Sequence, residues 1–229
     1  VYIWGLQVEE NGTGATNFIP STDTFTSRLG NAQYVDSNGI IRTSYANRVI
    51  NSETFSGWAL GNASITNNAT TAPDGTQTGN KWIANTTADR HRLQLNLGSD
   101  LLTYTASIYA KAGELTTISL RLGRALRDSE GVKFNLSTGA VIENGTLITS
   151  SSITPVGDGW YRLTLTHTTT YAGAQYFVIS EDEVSQAASD GSSGFFIWGA
   201  QVVKGSEAGD YYKTTGTISG PPRYSHDPE

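Results

Sequence analysis

Phe195-Phe196-Ile197-Trp198-Gly199-Ala200-Gln201-Val202 decides how this chain is read. β-Branched and aromatic residues dominate the stretch, so it reads as a strand. The same pattern opens the chain as Val1-Tyr2-Ile3-Trp4-Gly5-Leu6-Gln7-Val8. Ile3/Ile197, Trp4/Trp198, Gly5/Gly199, Gln7/Gln201 and Val8/Val202 fall in register. After each copy come a glycine turn, a small residue and an aromatic: Asn11-Gly12, Ala15 and Phe18, then Lys204-Gly205, Ala208 and Tyr211. Self-similarity at this distance marks two copies of one structural unit's end. Each copy reads as the closing strand of a domain, followed by a turn and a tail. The chain is expected to open with the last strand of one unit and to run through nearly one whole further unit. Val1–Val8 is then expected to complete a sheet outside the Ser52–Val203 sandwich, which has its own copy of the strand.

Working back from that strand, the pattern is one of short alternating segments. Arg90–Leu97 sets His91, Leu93, Leu95 and Leu97 against Arg90, Arg92, Gln94 and Asn96. Leu102–Lys111 sets Leu102, Tyr104, Ala106, Ile108 and Ala110 against Thr103, Thr105, Ser107, Tyr109 and Lys111. Ile118, Leu120 and Leu122 alternate with Ser119, Arg121 and Gly123. Lys81–Ala84, Val132–Leu136, Ala140–Glu143, Ile148–Ile153, Trp160–Thr169 and Tyr176–Ser180 are further strands. Between them Ala72-Pro73-Asp74-Gly75, Ser137-Thr138-Gly139 and Val156-Gly157-Asp158-Gly159 carry turn chemistry. Glu181–Asp190 reads equally as a helix or a loop. About ten short strands at regular spacing indicate an all-β, antiparallel β-sandwich. No strand has the continuous apolar run of a parallel sheet.

Four segments follow from this. Residues 1–20 are the closing strand and tail of a preceding unit. Residues 21–50 are a connector in which Asp36-Ser37-Asn38-Gly39 turns a hairpin of Ala32–Asp36 with Ile40–Ser44, against the alternative of an irregular linker. Residues 51–212 form the sandwich, and residues 213–229 begin another connector. A chain without Met at its first position is expected to be a segment or a processed product of a longer one.

Composition removes several functions. The 229 residues include no cysteine, so disulfides, thiolate metal sites and cysteine nucleophiles are excluded. A formal charge of -6 argues against a nucleic-acid partner. No run approaches the roughly 20 apolar residues that span a bilayer, so membrane insertion is not expected. Arg121, Arg124 and Arg127 form a basic cluster, but Asp128 and Glu130 follow directly, and a solvated strand end is the reading adopted, against the alternative of an anion site.

Six short motifs occur in a fixed order: Phe55-Ser56-Gly57-Trp58, Ala72-Pro73-Asp74-Gly75, Tyr109-Ala110-Lys111-Ala112-Gly113, Phe134-Asn135-Leu136-Ser137-Thr138-Gly139, Gly159-Trp160-Tyr161-Arg162 and Ile197-Trp198-Gly199-Ala200-Gln201. Together they resemble the carbohydrate-binding-module-like β-sandwich of bacteriophage tail and virion fibre proteins. Thr24–Ser44 resembles the connector between such sandwiches, and Pro222-Arg223-Tyr224-Ser225-His226-Asp227-Pro228 the segment that follows it. The resemblance covers nearly the whole chain. It implies a jelly-roll fold on a virion surface appendage, assembled as a homotrimer with copies of itself and other virion proteins and facing the host. A host cell-surface polysaccharide is the further partner it suggests. It implies no particular sugar, and many such sandwiches act as spacers.

The chemistry is that of a binding or structural module. Hydrolases need paired carboxylates at a cleft or a nucleophile with its base; the acids here are scattered, and no catalytic residue is assigned. Glu181, Asp182 and Glu183 are the one candidate for a structural Ca²⁺, against the alternative of solvated surface; no other cofactor is expected. His91 and His167 lie on apolar strand faces and read as packed. The Asn-x-Ser/Thr sequons at Asn62, Asn68 and Asn85 are read as chance products of composition. Trp4, Trp160 and Trp198 read as packing residues. Trp58 and Trp82, in turn-flanked pieces, are candidates to present a ring to the apolar face of a sugar, with core packing as the alternative. Arg92, Gln94, Tyr109, Lys111, Ser119 and Arg121 would complete a donor-rich groove if neighbouring. The alternative is a solvated sheet face or a subunit interface.

Overall fold

A computed structural model describes residues 32–35, 41–44, 46–100, 102–124, 127–181 and 187–216. Two short strands, β1 (Ala32–Val35) and β2 (Ile41–Ser44), pair antiparallel, with Val35 opposite Ile41 and Ala32 opposite Ser44. The N-terminal copy of the closing strand, Val1–Val8, lies outside the described residues.

The remaining strands build two six-stranded antiparallel sheets packed as a jelly-roll β-sandwich. Sheet I holds, in spatial order, β10 (Ala140–Asn144), β9 (Gly131–Asn135), β8 (Thr117–Gly123), β13 (Gln175–Ser180), β6 (Arg92–Gly98) and β3 (Ala59–Gly61). Sheet II holds β11 (Ile148–Gly157), β12 (Trp160–Thr168), β7 (Thr103–Lys111), β14 (Gly194–Lys204), β5 (Gly79–Ala84) and β4 (Ala63–Thr70). β3 and β4 were not legible as strands. Both are edge strands: β3 is only Ala59-Leu60-Gly61, and β4, polar through Ser64-Ile65-Thr66-Asn67-Asn68, contributes little to the core. β11 is also an edge, where Pro155 removes no ladder bond that a central strand would need.

The alternating apolar residues meet between the sheets. Leu93, Leu95, Ile118, Leu120, Phe134, Phe177 and Ile179 from sheet I face Tyr104, Ala106, Ile108, Leu163, Leu165, Phe195, Ile197 and Val202 from sheet II. The β11–β12 hairpin closes through Asp158 and Gly159, both at positive φ (50° and 78°), as a tight two-residue turn between right-twisted strands requires.

The deciding strand, β14, changes face halfway. Ile197 points into the core and Trp198 out of it, and Gly199 at φ 61° absorbs the register shift before Ala200 points in again and Gln201 out. Beyond Lys204 the chain returns across the outer face of sheet II as a strap. The buried Gln201 amide holds it, donating to Ala208 O (2.6 Å) and Asp210 O (3.0 Å) and accepting from Tyr212 N (2.8 Å). On the other side of β14, the Asn47 side chain fills all its hydrogen-bonding positions. It donates to Ala200 O and Tyr212 O and accepts from Val49 N and Val202 N. Thr214 hydrogen-bonds Val49 O and the Ser52 backbone N–H. Asn47 and Thr214 are thus hydrogen-bonded into the sandwich.

Candidate functional site

The candidate residues do not form one groove. β6 and β8 lie in sheet I while β7, between them in sequence, lies in sheet II. Their polar faces therefore look outward from opposite sides of the sandwich. Arg92, Gln94, Ser119 and Arg121 come together on sheet I; Tyr109 and Lys111 stand on sheet II.

Neither tryptophan candidate is at a surface. Trp82 is fully buried, stacked on Phe195 with centroids 4.8 Å apart and planes at 6°. Trp58 meets Phe55 and Phe177 edge-on, and its indole N–H donates to Ile50 O (3.0 Å). Trp82 alternates inward on β5, so burying a large apolar ring outweighs any gain from leaving it exposed. Both rings belong to the core, which corrects the expectation of an exposed sugar platform.

On the outer face of sheet II, Trp160, Trp198 and Ala72 form a second small core with Tyr109, Phe196 and Tyr211 packed on it. The 71–78 loop covers it, accepting from the Trp160 indole at Thr71 O and from the Trp198 indole at Thr78 Oγ1. The strap covers the rest, with Tyr211 edge-on to Tyr109 (5.9 Å) and 4.9 Å from Trp198. The Tyr211 hydroxyl lies between Ser52 Oγ (2.7 Å) and Glu53 Oε1 (3.3 Å). Burial, with the Glu53 carboxylate beside it, raises the Tyr211 phenol above its ordinary range. Arg162 lies over the Tyr109 ring and donates to Ser107 Oγ. Tyr109 is thus part of a lidded aromatic cluster, and Lys111 stands at its margin.

Sheet I differs. Strand pairing sets Gln94, Val178 and Arg121 in one row across β6, β13 and β8. Arg92, Ser180, Ser119 and Lys133 form the next row, and Asn96, Tyr176 and Gly123 the one on the other side. At about 4.8 Å between strands, the row from Arg92 to Lys133 spans about 14 Å. Its centre is sunken: Ser119, Arg121, Val178 and Ser180 are all buried although they point away from the core. Arg121 bonds Asp128 (2.9 Å), yet burial, with the nearby Arg90 charge adding to it, lowers its pKa to about 10. Gln94 Oε1, Ser180 Oγ and Arg90 Nε are buried, and among the described residues they accept or donate no hydrogen bond. At one end, Tyr176 lies opposite Gly123, and the exposed Tyr171 ring lies 5.0 Å from the Arg124 guanidinium.

Sequence reasoning missed Tyr171, Tyr176, Ser180 and Lys133 as members of this face. Tyr176 and Ser180 show as outward positions of a strand, but only the insertion of β13 between β6 and β8 makes them neighbours of Arg92, Gln94 and Arg121. Of the Ca²⁺ candidates, Glu181 is engaged by His91 Nδ1 (2.6 Å), and Asp182 and Glu183 lie outside the described residues. Among the described residues, no three His, Asp or Glu side chains group as a metal-binding set. His91 and His167 are packed: the other His91 ring nitrogen lies 2.9 Å from Thr87 O, and His167 Nδ1 lies 2.9 Å from Leu147 O.

No protein-family model and no curated protein match the chain. Among solved structures, it is similar to the carbohydrate-binding module TmCBM61 in complex with β-1,4-galactotriose, at 9% identity and a TM-score of 0.42, over 69% of this chain and 99% of that one. It is similar to the CBM22-1 xylan-binding domain of Paenibacillus barcinonensis Xyn10C, at 11% identity and a TM-score of 0.40, over 69% and 91% of the two chains. It is also similar to the enzymatically active domain of bacteriophage CBA120 tailspike protein 4, at 17% identity and a TM-score of 0.41, over 69% of this chain and 21% of that one. With identities and scores this low, the site stands on its own geometry.

Proposed function

We propose that the chain is a non-catalytic glycan-binding module whose ligand lies across the outer face of sheet I. One observation carries the reading: an outward-facing sheet surface is sunken, polar and incompletely hydrogen-bonded at Gln94 Oε1, Ser180 Oγ and Arg90 Nε. Buried polar atoms without partners cost about 1–3 kcal/mol each, so a surface that keeps several is suited to a ligand that satisfies them. A sugar chain offers hydroxyl donors and acceptors at close intervals, and an apolar ring face for Tyr176 or Tyr171. The protein as a whole is screened against plant and bacterial polysaccharides by affinity electrophoresis and calorimetry. Tyr176→Ala and Arg92→Ala are expected to weaken binding by tenfold or more, and Tyr109→Ala, on the opposite face, to leave it unchanged. Binding that survives both sheet I substitutions would remove the proposed site.

A second reading is a structural, host-facing unit of a virion fibre that associates with copies of itself as a trimer. It is favoured by the duplication of Ile3-Trp4-Gly5 and Gln7-Val8 at Ile197-Trp198-Gly199 and Gln201-Val202, as expected of units in series. Sedimentation equilibrium tests it: a chain that stays monomeric at all concentrations removes the self-assembly.

A further inference from the structure

We infer that the ligand of the sheet I face carries carboxylates: it is an acidic, uronate- or sialate-bearing glycan rather than a neutral one. This rests on the glycan-binding reading and narrows its substrate class. The observation is a local excess of arginine in a chain whose formal charge is -6. Arg90, Arg92, Arg121, Arg124 and Lys133 gather on or beside the face. Four acids stand beside them, and two of these are committed to an arginine side chain. Asp128 takes Arg121 (2.9 Å), and the buried Glu130 takes Arg124 (2.7 Å). Glu143, on the edge strand opposite Lys133, is exposed at the far margin. Asp89 turns its carboxylate to the Arg90 backbone N–H (2.7 Å).

Arg90 and Arg92 are what remains. Both side chains are half-buried, and among the described residues neither has a carboxylate within ion-pair reach. The Arg92 stem runs along Gly61 on the neighbouring strand, where a Cβ would sit 3.2 Å from Arg92 Cγ. Arg90 is close enough to Arg121 for the two charges to oppose each other. A guanidinium presents a planar fork of donors that matches the two oxygens of a carboxylate. Neutral sugar hydroxyls could meet single N–H groups, but they would leave the charges of Arg90 and Arg92 without a carboxylate. A ligand carboxylate at this point meets the fork and supplies the opposite charge together. The rest of the surface is net negative and would repel such a ligand, so the affinity must be local to this face and reduced by salt.

The experiment uses the whole chain with polygalacturonate, alginate, hyaluronate and polysialic acid, each beside its carboxyl-reduced form. Reduction turns the carboxylate into a neutral alcohol and keeps the backbone. At least one acidic glycan is expected to bind tenfold or more tighter than its reduced form, with affinity falling as salt rises. Charge-assisted hydrogen bonds of about 1.5–3 kcal/mol correspond to a loss of roughly ten- to a hundredfold in Arg92→Gln and Arg90→Gln. Lys111→Gln, on the opposite face, is the matched control and is expected to bind as the parent does. Equal binding of the acidic and reduced forms, or binding of neutral glycans alone, overturns the carboxylate inference and leaves the glycan-binding reading standing. Absence of binding to every acidic and neutral glycan overturns both.

Discussion

Replacing Gln201 by Leu tests the account of how this sandwich closes. The side chain is buried, and its amide makes three hydrogen bonds to the strap: two to Ala208 O and Asp210 O, and one from Tyr212 N. Leucine fills a similar volume, so the substitution removes hydrogen bonds with little cavity formation. A typical intramolecular hydrogen bond contributes about 1 kcal/mol net, which puts the sum near 3 kcal/mol. Asp210 is exposed and Ala208 half-exposed, so water can reach their carbonyls and the lower part of a roughly 2–3 kcal/mol range is expected. For a unit of this size each kcal/mol moves the melting temperature by about 2–4 °C, which gives a fall of roughly 5–10 °C. Urea unfolding should show a lower midpoint at unchanged slope. Hydrogen exchange should accelerate at the Tyr212 amide before it does in β7 or β12. A variant within about 0.5 kcal/mol of the parent, with the Tyr212 amide still protected, would refute the claim that Gln201 holds the strap.

Gly159 and Gly199, two of the glycines at positive φ, separate backbone cost from crowding. At Gly159 (φ 78°) an added Cβ meets only the Lys111 stem at 3.5 Å, so Gly159→Ala should cost about 1–2 kcal/mol from backbone strain alone. At Gly199 (φ 61°) it meets Tyr109 Cδ2 at 3.0 Å and Tyr211 Cζ at 3.3 Å, so Gly199→Ala should cost roughly 2–4 kcal/mol; equal melting temperatures for the two variants would contradict this. Above pH 10 the protein should lose stability. The Tyr211 phenol is raised in the folded state by burial, so the unfolded chain gives up its proton first, and stability present below pH 10 is lost as pH rises toward the folded value. Tyr104, also raised by burial, acts in the same direction, so in Tyr211→Phe the decline of urea midpoint between pH 9 and pH 11 should be shallower than in the parent but not abolished. An unchanged decline would place the Tyr211 hydroxyl in water.

Period-two alternation was enough to find most of the strands. Leu93, Leu95 and Leu97 on one side of β6, and Leu120 and Leu122 on one side of β8, are inward residues as their spacing requires. Turn chemistry placed Asp158-Gly159 correctly between β11 and β12 because positive φ is a property of the residues themselves. In β14 each residue of the Ile-Trp-Gly-x-Gln-Val pattern has its own part. Ile197 enters the core, Trp198 leaves it, Gly199 makes the bulge and Gln201 catches the returning chain.

What the sequence did not contain was which strands are neighbours. Strand formation is decided over a few residues, but pairing depends on loop closures between distant ones. β13 enters between β6 and β8, and β14 between β5 and β7, across separations that no local pattern records. That order divides the polar residues into two faces, with Tyr109 and Lys111 on one and Arg92, Gln94 and Arg121 on the other. It also brings Tyr176 and Ser180 into the second face. The tryptophans show the same limit. A ring such as Trp82 can serve a core or a ligand equally well by its chemistry, and only the opposing sheet, with Phe195 stacked upon it, decided that it is core.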